Sequence, residues 1–369
     1  MRVAVIHDWL TGIRGGEKVL LSILELFPRA DIFTIICDRT ALDERITKHK
    51  ITTSFLQGIP GIFTSYRNFL PLFPAAVESF DLKGYDLIIS SSHCAAKGIK
   101  PPSPQIHACY CHTPMRYAYG QFDNYFSVKR NGIIKYAMIS AVMPALRRWD
   151  RSTAKRAGFF MANSNAVKGR IMEYYGRESS VVHPPVDTDF YTPGGKKENF
   201  FLMVSALTEY KKVDWAVEVF NSMADKKLVI IGGGPLLDKI KNSAGPNVAV
   251  LGRKSDEEIR DHYRRARGFI FPGEEDFGIT MAEALACGTP VLAFNRGGAL
   301  DIVTDGETGS FYDGSGEGFI KALEKMENNR YDDKKMRACA ERFSKDAFKT
   351  NFVRFLAENS LIPSGAKLG

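Results

Sequence analysis

Short apolar runs closed by glycine, proline or polar residues alternate along the chain with segments whose apolar positions return every three or four residues. Runs of the first kind predict buried strands of a parallel sheet, and those of the second predict helices laid across it. Arg2–Trp9, Ile32–Cys37, Asp86–Ser91, Ile106–Tyr110, Phe159–Ala162 and Ser180–His183 read as strands in the first half. Phe200–Ser205, Leu228–Ile231, Asn247–Leu251, Phe269–Phe271 and Val291–Phe294 do so in the second. Helical spacing is clearest in Val19, Leu20, Ile23, Leu24 and Phe27, in Val213, Ala216, Val217 and Phe220, and in Met281, Ala284 and Leu285. Phe55–Phe80 is rich in Phe, Leu and Pro without a clean period, which suits core and loop packing or, alternatively, a lipid-contacting surface. Strand and helix in alternation predict an α/β chain of doubly wound sheets.

With 369 residues the chain exceeds one ordinary core. The proline- and glycine-rich stretch Pro184–Gly195 divides it into a domain over 1–183, a linker over 184–197, a second domain over 198–343 and a terminal helical segment over 344–369. Two or three polar helices finish the chain, and Pro144 is expected to break any long helix between Ser127 and Ala157.

The chemistry concentrates in Phe269–Val291, where a strand meets Pro272 and Gly273 and an acidic loop leads into a helix. Thr280 and Glu283 stand at capping-box spacing, and Gly288 and Pro290 end the helix before the next strand. Bare amides from Gly278 through Ile279 to Thr280, with the positive end of the helix dipole, suit a phosphate or another anion. Glu275 and Glu283, eight positions apart, suit hydroxyl groups as hydrogen-bond donors. Hydroxyls on both sides of a phosphate pair describe a sugar nucleotide. In the other reading, Glu283 caps its helix and Glu275 is a solvated loop charge.

Glu275-Asp276-Phe277-Gly278-Ile279 followed by Glu283 resembles the E-x7-E signature of family 4 retaining glycosyltransferases of GT-B architecture, two Rossmann-like domains facing across a cleft. The resemblance implies that Glu275 touches the donor sugar, Glu283 the ribose hydroxyls, and the backbone after Phe277 and Gly278 the diphosphate. It also implies that the backbone at Arg253 and Lys254 holds the base, and that the flexible loop read over Thr11–Gly16 ahead of the first helix, with Gly15 and Gly16, lies across the cleft from the phosphates. His112 would lie beside the transferred sugar, so that chemistry requires domain closure. The family's Arg-x4-Lys pair, which neutralises the diphosphate, is met here by Lys211 alone, because Ala206 stands where the arginine is expected. Lys212, Arg14 and Arg296 are the candidates to supply that charge. His112-Thr113-Pro114 further resembles the bacterial O-antigen mannosyltransferases of this family. The likeness is strongest from Val181 to Tyr312 and implies transfer of a hexose, mannose from GDP-mannose, to a lipid-linked saccharide. It implies front-face attack and no metal.

Composition narrows the setting. At 44% apolar and 25% charged residues the chain reads as globular, and no apolar run reaches the ~18 residues of a membrane span, so a cytoplasmic protein is expected. The six cysteines form no regular framework and are expected as reduced, mainly buried thiols. His107, Cys109, Cys111 and His112 resemble a metal set, but alternation along a strand turns His112 from the cysteines, and no metal or other cofactor is expected. Asp187-Thr188-Asp189 is taken as linker and not as a metal-binding DxD.

The net charge of +8 sits in the first half, where residues 1–183 carry 24 Lys and Arg against 14 Asp and Glu while the rest carry 26 against 28. That asymmetry predicts an anionic partner for the first domain, a phosphate-bearing acceptor or a membrane surface; no nucleic acid is expected. Lys129, Arg130, Lys135, Arg147, Arg148, Arg151, Lys155 and Arg156 punctuate an apolar stripe over 127–157, as on an interfacial helix or as solvated charges on a core helix. Two other classes remain open. Gly232-Gly233-Gly234 with Arg253 could be a dinucleotide turn of an NADP oxidoreductase, although the glycines are contiguous and both acids would go unexplained. Ala206 also admits a sugar-nucleotide binder without catalysis.

Overall fold

The structure, a computed structural model, describes residues 1–120, 122, 126 and 132–363. Two compact units divide the chain: residues 1–183 with 348–369, and residues 184–347. Ser127, Lys129 and Arg130 of the basic stretch and residues 364–369 of the terminal segment lie outside the described residues.

The first unit is built on β1 (Val3–His7), β2 (Asp31–Thr34), β3 (Ile51–Thr53), β4 (Leu87–Ser92), β5 (His107–Cys111), β6 (Phe159–Ala162) and β7 (Ser180–Val181). They form one sheet in the order β3-β2-β1-β4-β5-β6-β7, parallel throughout. One face is covered by α1 (Gly15–Leu26), whose Val19, Leu20, Ile23 and Leu24 share a core with Phe348, Phe352, Phe355 and Leu356 near the chain's end. The other face carries α2 (Ile133–Thr153) and the 55–80 segment, which contributes Leu56, Ile62, Tyr66, Leu70, Phe73 and Val77 to the core.

Two expectations are corrected here. Gly15 and Gly16 are the first turn of α1 and not a loop, because the Arg14 N–H donates to Glu17 Oε2 at 2.9 Å and starts the helix there. Pro144 lies inside a single 21-residue helix. Its side chain is on the exposed face, where water can satisfy the carbonyl that proline leaves unpaired, while Ile139, Met143 and Leu146 hold the opposite face to the core.

The second unit repeats the plan with β8 (Phe201–Val204), β9 (Leu228–Ile231), β10 (Val248–Gly252), β11 (Gly268–Phe271), β12 (Val291–Phe294) and β13 (Gly309–Tyr312). Their order is β10-β9-β8-β11-β12-β13, again all parallel. β3 and β13 are additions to the strands read from the sequence, as both are short edge strands of three and four residues. The helices that matter below are α3 (Val213–Asn221), α4 (Asp256–Arg265) and α5 (Ile279–Ala286). Ser255 and Glu258 form a capping box at the start of α4, with Glu258 N to Ser255 Oγ at 3.2 Å and Ser255 N to Glu258 Oε2 at 3.0 Å. At α5 the expectation is corrected: the helix begins at Ile279, with Gly278 as its N-cap at φ 89°, so Thr280 lies within the first turn. After Phe277 the chain passes through a left-handed conformation at Gly278, φ 89°, which L side chains rarely adopt, so the position favours glycine.

Candidate active site

In an open parallel sheet the strand order reverses at one place, and the loops leaving the strand C-termini part there to form a crevice. In the second unit that place lies between β8 and β11. The loop after β8 runs over 205–212 and the loop after β11 over 272–278, and they meet: a Cβ on Gly273 would stand 2.9 Å from the Tyr210 carbonyl oxygen. Lys211 Nζ and Glu275 Oε1 form an ion pair across them, the two side chains 15% and 12% exposed. A lysine and a carboxylate held together at the mouth of a strand crevice can present one charge to a phosphate and accept hydrogen bonds from hydroxyls.

The loop that carries Glu275 is fixed from behind. Gly298 N–H donates to the Glu275 carbonyl at 2.8 Å, and a Cβ on Gly298 would stand 2.3 Å from Phe277 Cα. Gly297 makes the same approach, 2.4 Å from the Glu275 carbonyl oxygen. The Gly297-Gly298 turn is thus the surface on which the acidic loop rests. Phe277 itself is buried in the core, its ring 5.3 Å from that of Phe343, so this residue offers ligand its backbone alone. Beyond it Gly278, Ile279 and Thr280 open α5 with no side-chain cap.

The other sequence-derived residues occupy neighbouring strand ends. Lys212 adopts a left-handed conformation at φ 53° as the N-cap of α3, and its Nζ lies 5.0 Å from the centre of the Phe294 ring. The Arg296 guanidinium lies 5.6 Å from the same ring, so two of the candidates for the missing cation share one aromatic. Arg253 packs over Gly233, where a Cβ would stand 2.7 Å from its Nε, and Lys254 pairs with Glu258 at 2.9 Å. Gly232 and Gly234 let the turn after β9 approach the loop after β8, at 1.8 Å from the Ser205 carbonyl oxygen and 2.5 Å from that of Leu207 for an added Cβ. Close packing therefore accounts for these contiguous glycines. Glu283 has a different setting from Glu275: its side chain is buried on α5 and its Oε2 receives the Tyr263 hydroxyl of α4 at 3.3 Å. Burial, with Glu283 beside it, pushes the Tyr263 phenol well above its ordinary pKa, which keeps it a hydrogen-bond donor.

In the first unit the order reverses between β1 and β4, and a polar cluster fills their C-terminal ends. Asp8, wholly buried, accepts the backbone N–H groups of His93, Cys94, Ala95 and Ala96 at 2.6 to 2.9 Å and faces His93 Nδ1 at 3.1 Å. Ser91 Oγ lies 3.1 Å from His7 Nδ1 and 2.8 Å from His112 Nε2. His7 Nε2 in turn faces Glu17 Oε1 at 3.7 Å, an ion-pair distance and not a hydrogen bond. Gly16 closes over both rings, since a Cβ there would stand 3.5 Å from His7 Cε1 and 3.9 Å from His112. The sheet and α1 thus bring Gly16 and His112 together.

Burial pulls His112 well below the ordinary histidine pKa, and the neighbouring His93, His7 and Arg116 push it the same way, so the ring is neutral. Burial alone would raise the Glu17 carboxyl, but its contacts with His7, its own backbone N–H and His93 hold it below the usual range. With Glu17 ionised, the consistent tautomer of His7 carries its proton on Nε2; Ser91 then donates to His7 Nδ1 and accepts from His112 Nε2–H. His112 is left with Nδ1 as an acceptor. Sequence reasoning did not find His7, Asp8, Glu17 or Ser91, although the rule that places ligands at strand ends also selects His7 and Ser91.

The metal-like set does not assemble. His107 donates from Nδ1 to the Arg156 carbonyl at 3.1 Å and accepts from Ser90 Oγ at 2.8 Å, whereas Cys109 and Cys111 lie in a hydrophobic cluster with Phe160, Val167 and Ile171. Among the described residues no group of three or more His, Cys, Asp or Glu is placed to hold a metal ion.

Residues 189–346 match the family model of glycosyl transferases group 1. An uncharacterised glycosyltransferase of Methanocaldococcus jannaschii is 31% identical over 151 residues, 40% of this chain and 42% of that protein. A GDP-mannose-dependent alpha-(1-6)-phosphatidylinositol monomannoside mannosyltransferase of Mycolicibacterium smegmatis is 28% identical over 206 residues, 47% of this chain and 54% of that protein. The chain thus spans about half the length of the curated relatives it matches. Among solved structures, Anabaena HepE with UDP and glucose superposes at TM-score 0.70 and 18% identity, covering 96% of this chain and 99% of that one. The lipopolysaccharide outer core galactosyltransferase WaaB superposes at 0.66 and 19%, covering 98% and 100%. The two parallel sheets of this chain are therefore those of the GT-B fold, and the similarity to glycosyl transferases group 1 lies in residues 189–346.

Proposed function

We propose that the protein is a retaining glycosyltransferase that moves mannose from GDP-mannose to a lipid-linked saccharide of a surface polysaccharide, without a metal. The observation that carries the reading is the Lys211–Glu275 pair at the strand crevice, directly ahead of the uncapped start of α5. As the bond from the sugar to the nucleoside diphosphate breaks, negative charge grows on the leaving oxygen. Lys211 and the amides at Gly278, Ile279 and Thr280 stabilise that charge. Glu275 orders the sugar hydroxyls, and Glu283 is assigned to the ribose. The acceptor oxygen attacks from the face the diphosphate leaves, forming the new glycosidic bond, and its proton passes to the departing phosphate oxygen. The resemblance supplies this last step, and the named relative that uses GDP-mannose supports the donor.

Calorimetry with GDP, UDP and ADP, followed by turnover with the matching nucleotide sugars and a polyprenyl-linked saccharide, tests the reading. GDP binding more tightly than UDP and ADP, with release of GDP from GDP-mannose, is the expected result. Tighter UDP binding overturns the mannose donor and keeps the transferase; binding without turnover on any acceptor leaves a sugar-nucleotide binder. NADPH binding in place of all three overturns the whole proposal.

A further inference from the structure

The longest helix among the described residues, α2 of the first unit, has no place in that reaction and has two faces of opposite character. Inward, Ile139, Met143, Leu146, Asp150 and Thr153 recur at intervals of four and three, and they are buried or packed on the core. Outward, Ile134, Met138, Ala141, Ala145 and Arg148 recur at the same intervals, all exposed. Amphipathic helices of globular proteins turn their polar side outward. This one turns out a second apolar stripe, with Ile133, Ile134 and Met138 exposed by 72%, 75% and 65%.

The exposure is concentrated. Ile133, Ile134, Met138 and Val142 are all on α2, and Lys135 Nζ donates to Asn68 Oδ1 at 3.0 Å, joining the start of the helix to a segment that exposes Phe63 and Leu72. In the second unit only Leu251 and Leu300 are large, apolar and exposed among the described residues.

Charge says what this face meets. Asp150 is the one acid of α2, and it is buried against Lys97 Nζ at 2.7 Å, so the exposed face of the helix carries Lys135, Arg147, Arg148 and Arg151 without an acid. Over residues 87–172 the sequence has 13 Lys and Arg against 2 Asp and Glu. A second copy of the chain would bring a like-charged surface to this one, whereas an anionic lipid leaflet complements both the cations and the apolar stripe.

We propose that the outward face of α2, with Phe63 and Leu72 beside its start, is an interfacial membrane-binding surface that lies in the headgroup region of an anionic bilayer. Its apolar side chains enter the boundary of the acyl chains, and Arg148 and Arg151 remain at the level of the lipid phosphates. No helix among the described residues is long and apolar enough to cross a membrane, and the surface requires none. The proposal does not depend on the reaction assigned above.

The test is flotation of the full chain with phosphatidylcholine vesicles, with and without phosphatidylglycerol, beside light scattering of the free protein and calorimetry with GDP. The expected result is flotation only with the anionic vesicles. Ile133→Ser/Ile134→Ser/Met138→Ser and Arg148→Ser/Arg151→Ser should each lose at least about thirtyfold in partitioning while retaining thermal transition and nucleotide affinity. Failure to float, equal flotation on neutral vesicles, or undiminished flotation of both variants overturns the proposal. So does a dimer in solution that the apolar variant dissociates, since the stripe would then belong to a second copy.

Discussion

The two units share a plan of parallel strands and strand-end loops, yet they spend their polar residues differently. In the second, glycine does the shaping: Gly232, Gly234, Gly273, Gly297 and Gly298 let loops rest on one another's backbones, so that Lys211 and Glu275 meet over a close-packed floor. In the first, buried side chains do it: Asp8 gathers four backbone amides, and Ser91 links two histidines. A backbone-packed site tolerates no added atom, and a side-chain network tolerates no lost proton. Each of the following measurements presses on one side of that contrast.

The largest effect is expected at the ion pair. Lys211→Ala and Glu275→Ala should each lower kcat by about 100- to 1000-fold, the scale of removing one group that stabilises transition-state charge. GDP affinity should fall for Lys211→Ala and hold for Glu275→Ala, because only the lysine is assigned to the diphosphate. Equal loss of affinity in both would mean that the pair acts as a structural clamp, and the role given to Glu275 would fail.

Acid should separate the units. Burial lowers His107 to about 4, against the ordinary 6.5, with the Arg156 carbonyl opposing the shift, and burial lowers His93 and His112 in the same direction. The folded state then binds fewer protons than the unfolded one between these values. Stability is whole above pH 6.5, falls as pH drops towards 4, and has no more to lose to His107 below that. For His107 the loss is about 3 kcal/mol. Glu78, held at about 2 by Trp149, Lys100 and Arg156 against the effect of burial, adds its own loss only below the carboxylate range. Six of the seven histidines belong to the first unit, and the seventh, His262, is partly exposed on α4 of the second. Calorimetric scans between pH 7 and 5 should show a transition that moves with pH beside one that does not, and His107→Gln should lessen the movement, with His93 and His112 supplying what remains.

Gly298→Ala presses on the other side. Its Cβ would meet Phe277 Cα at 2.3 Å, so the acidic loop must shift, at about 1–3 kcal/mol by analogy with overpacked cores. Nucleotide affinity should fall with stability, whereas Gly316→Ala, where a Cβ meets nothing within 4 Å, should leave both unchanged. Unaltered affinity in Gly298→Ala would show that the loop does not need this floor.

The strand frame of both units was legible because parallel strands buried on both faces leave uninterrupted apolar runs. β3 and β13, three and four residues at sheet edges, leave no such run. The second unit's site was legible for a related reason: Glu275, Glu283 and Gly278 lie within nine residues, so sequence spacing already encodes their setting. His7, Ser91 and His112 are 84 and 21 residues apart in succession, and only the sheet makes them neighbours. Pro144 misled because a local rule was applied without knowing which helix face would be wet. Thr280 misled because the capping spacing matched two residues past Gly278, the residue that caps the helix.

The smallest effect probes that long-range network most finely. Ser91→Ala removes the hydroxyl between His7 and His112, which should cost about 1 kcal/mol, or about fivefold in kcat/KM, by loosening the His112 ring without removing it. Because the network places the His112 proton on Nε2 and leaves Nδ1 as the acceptor, His112→Asn and His112→Gln should differ: asparagine keeps a polar atom near the Nδ1 position and glutamine near Nε2. Activity retained better by asparagine, together with rescue of Ser91→Ala by Ser91→Thr, supports a histidine oriented through Glu17, His7 and Ser91. If glutamine is the better substitute, the polar atom that matters is the one at the Nε2 position, and the role given to Nδ1 as the free acceptor fails.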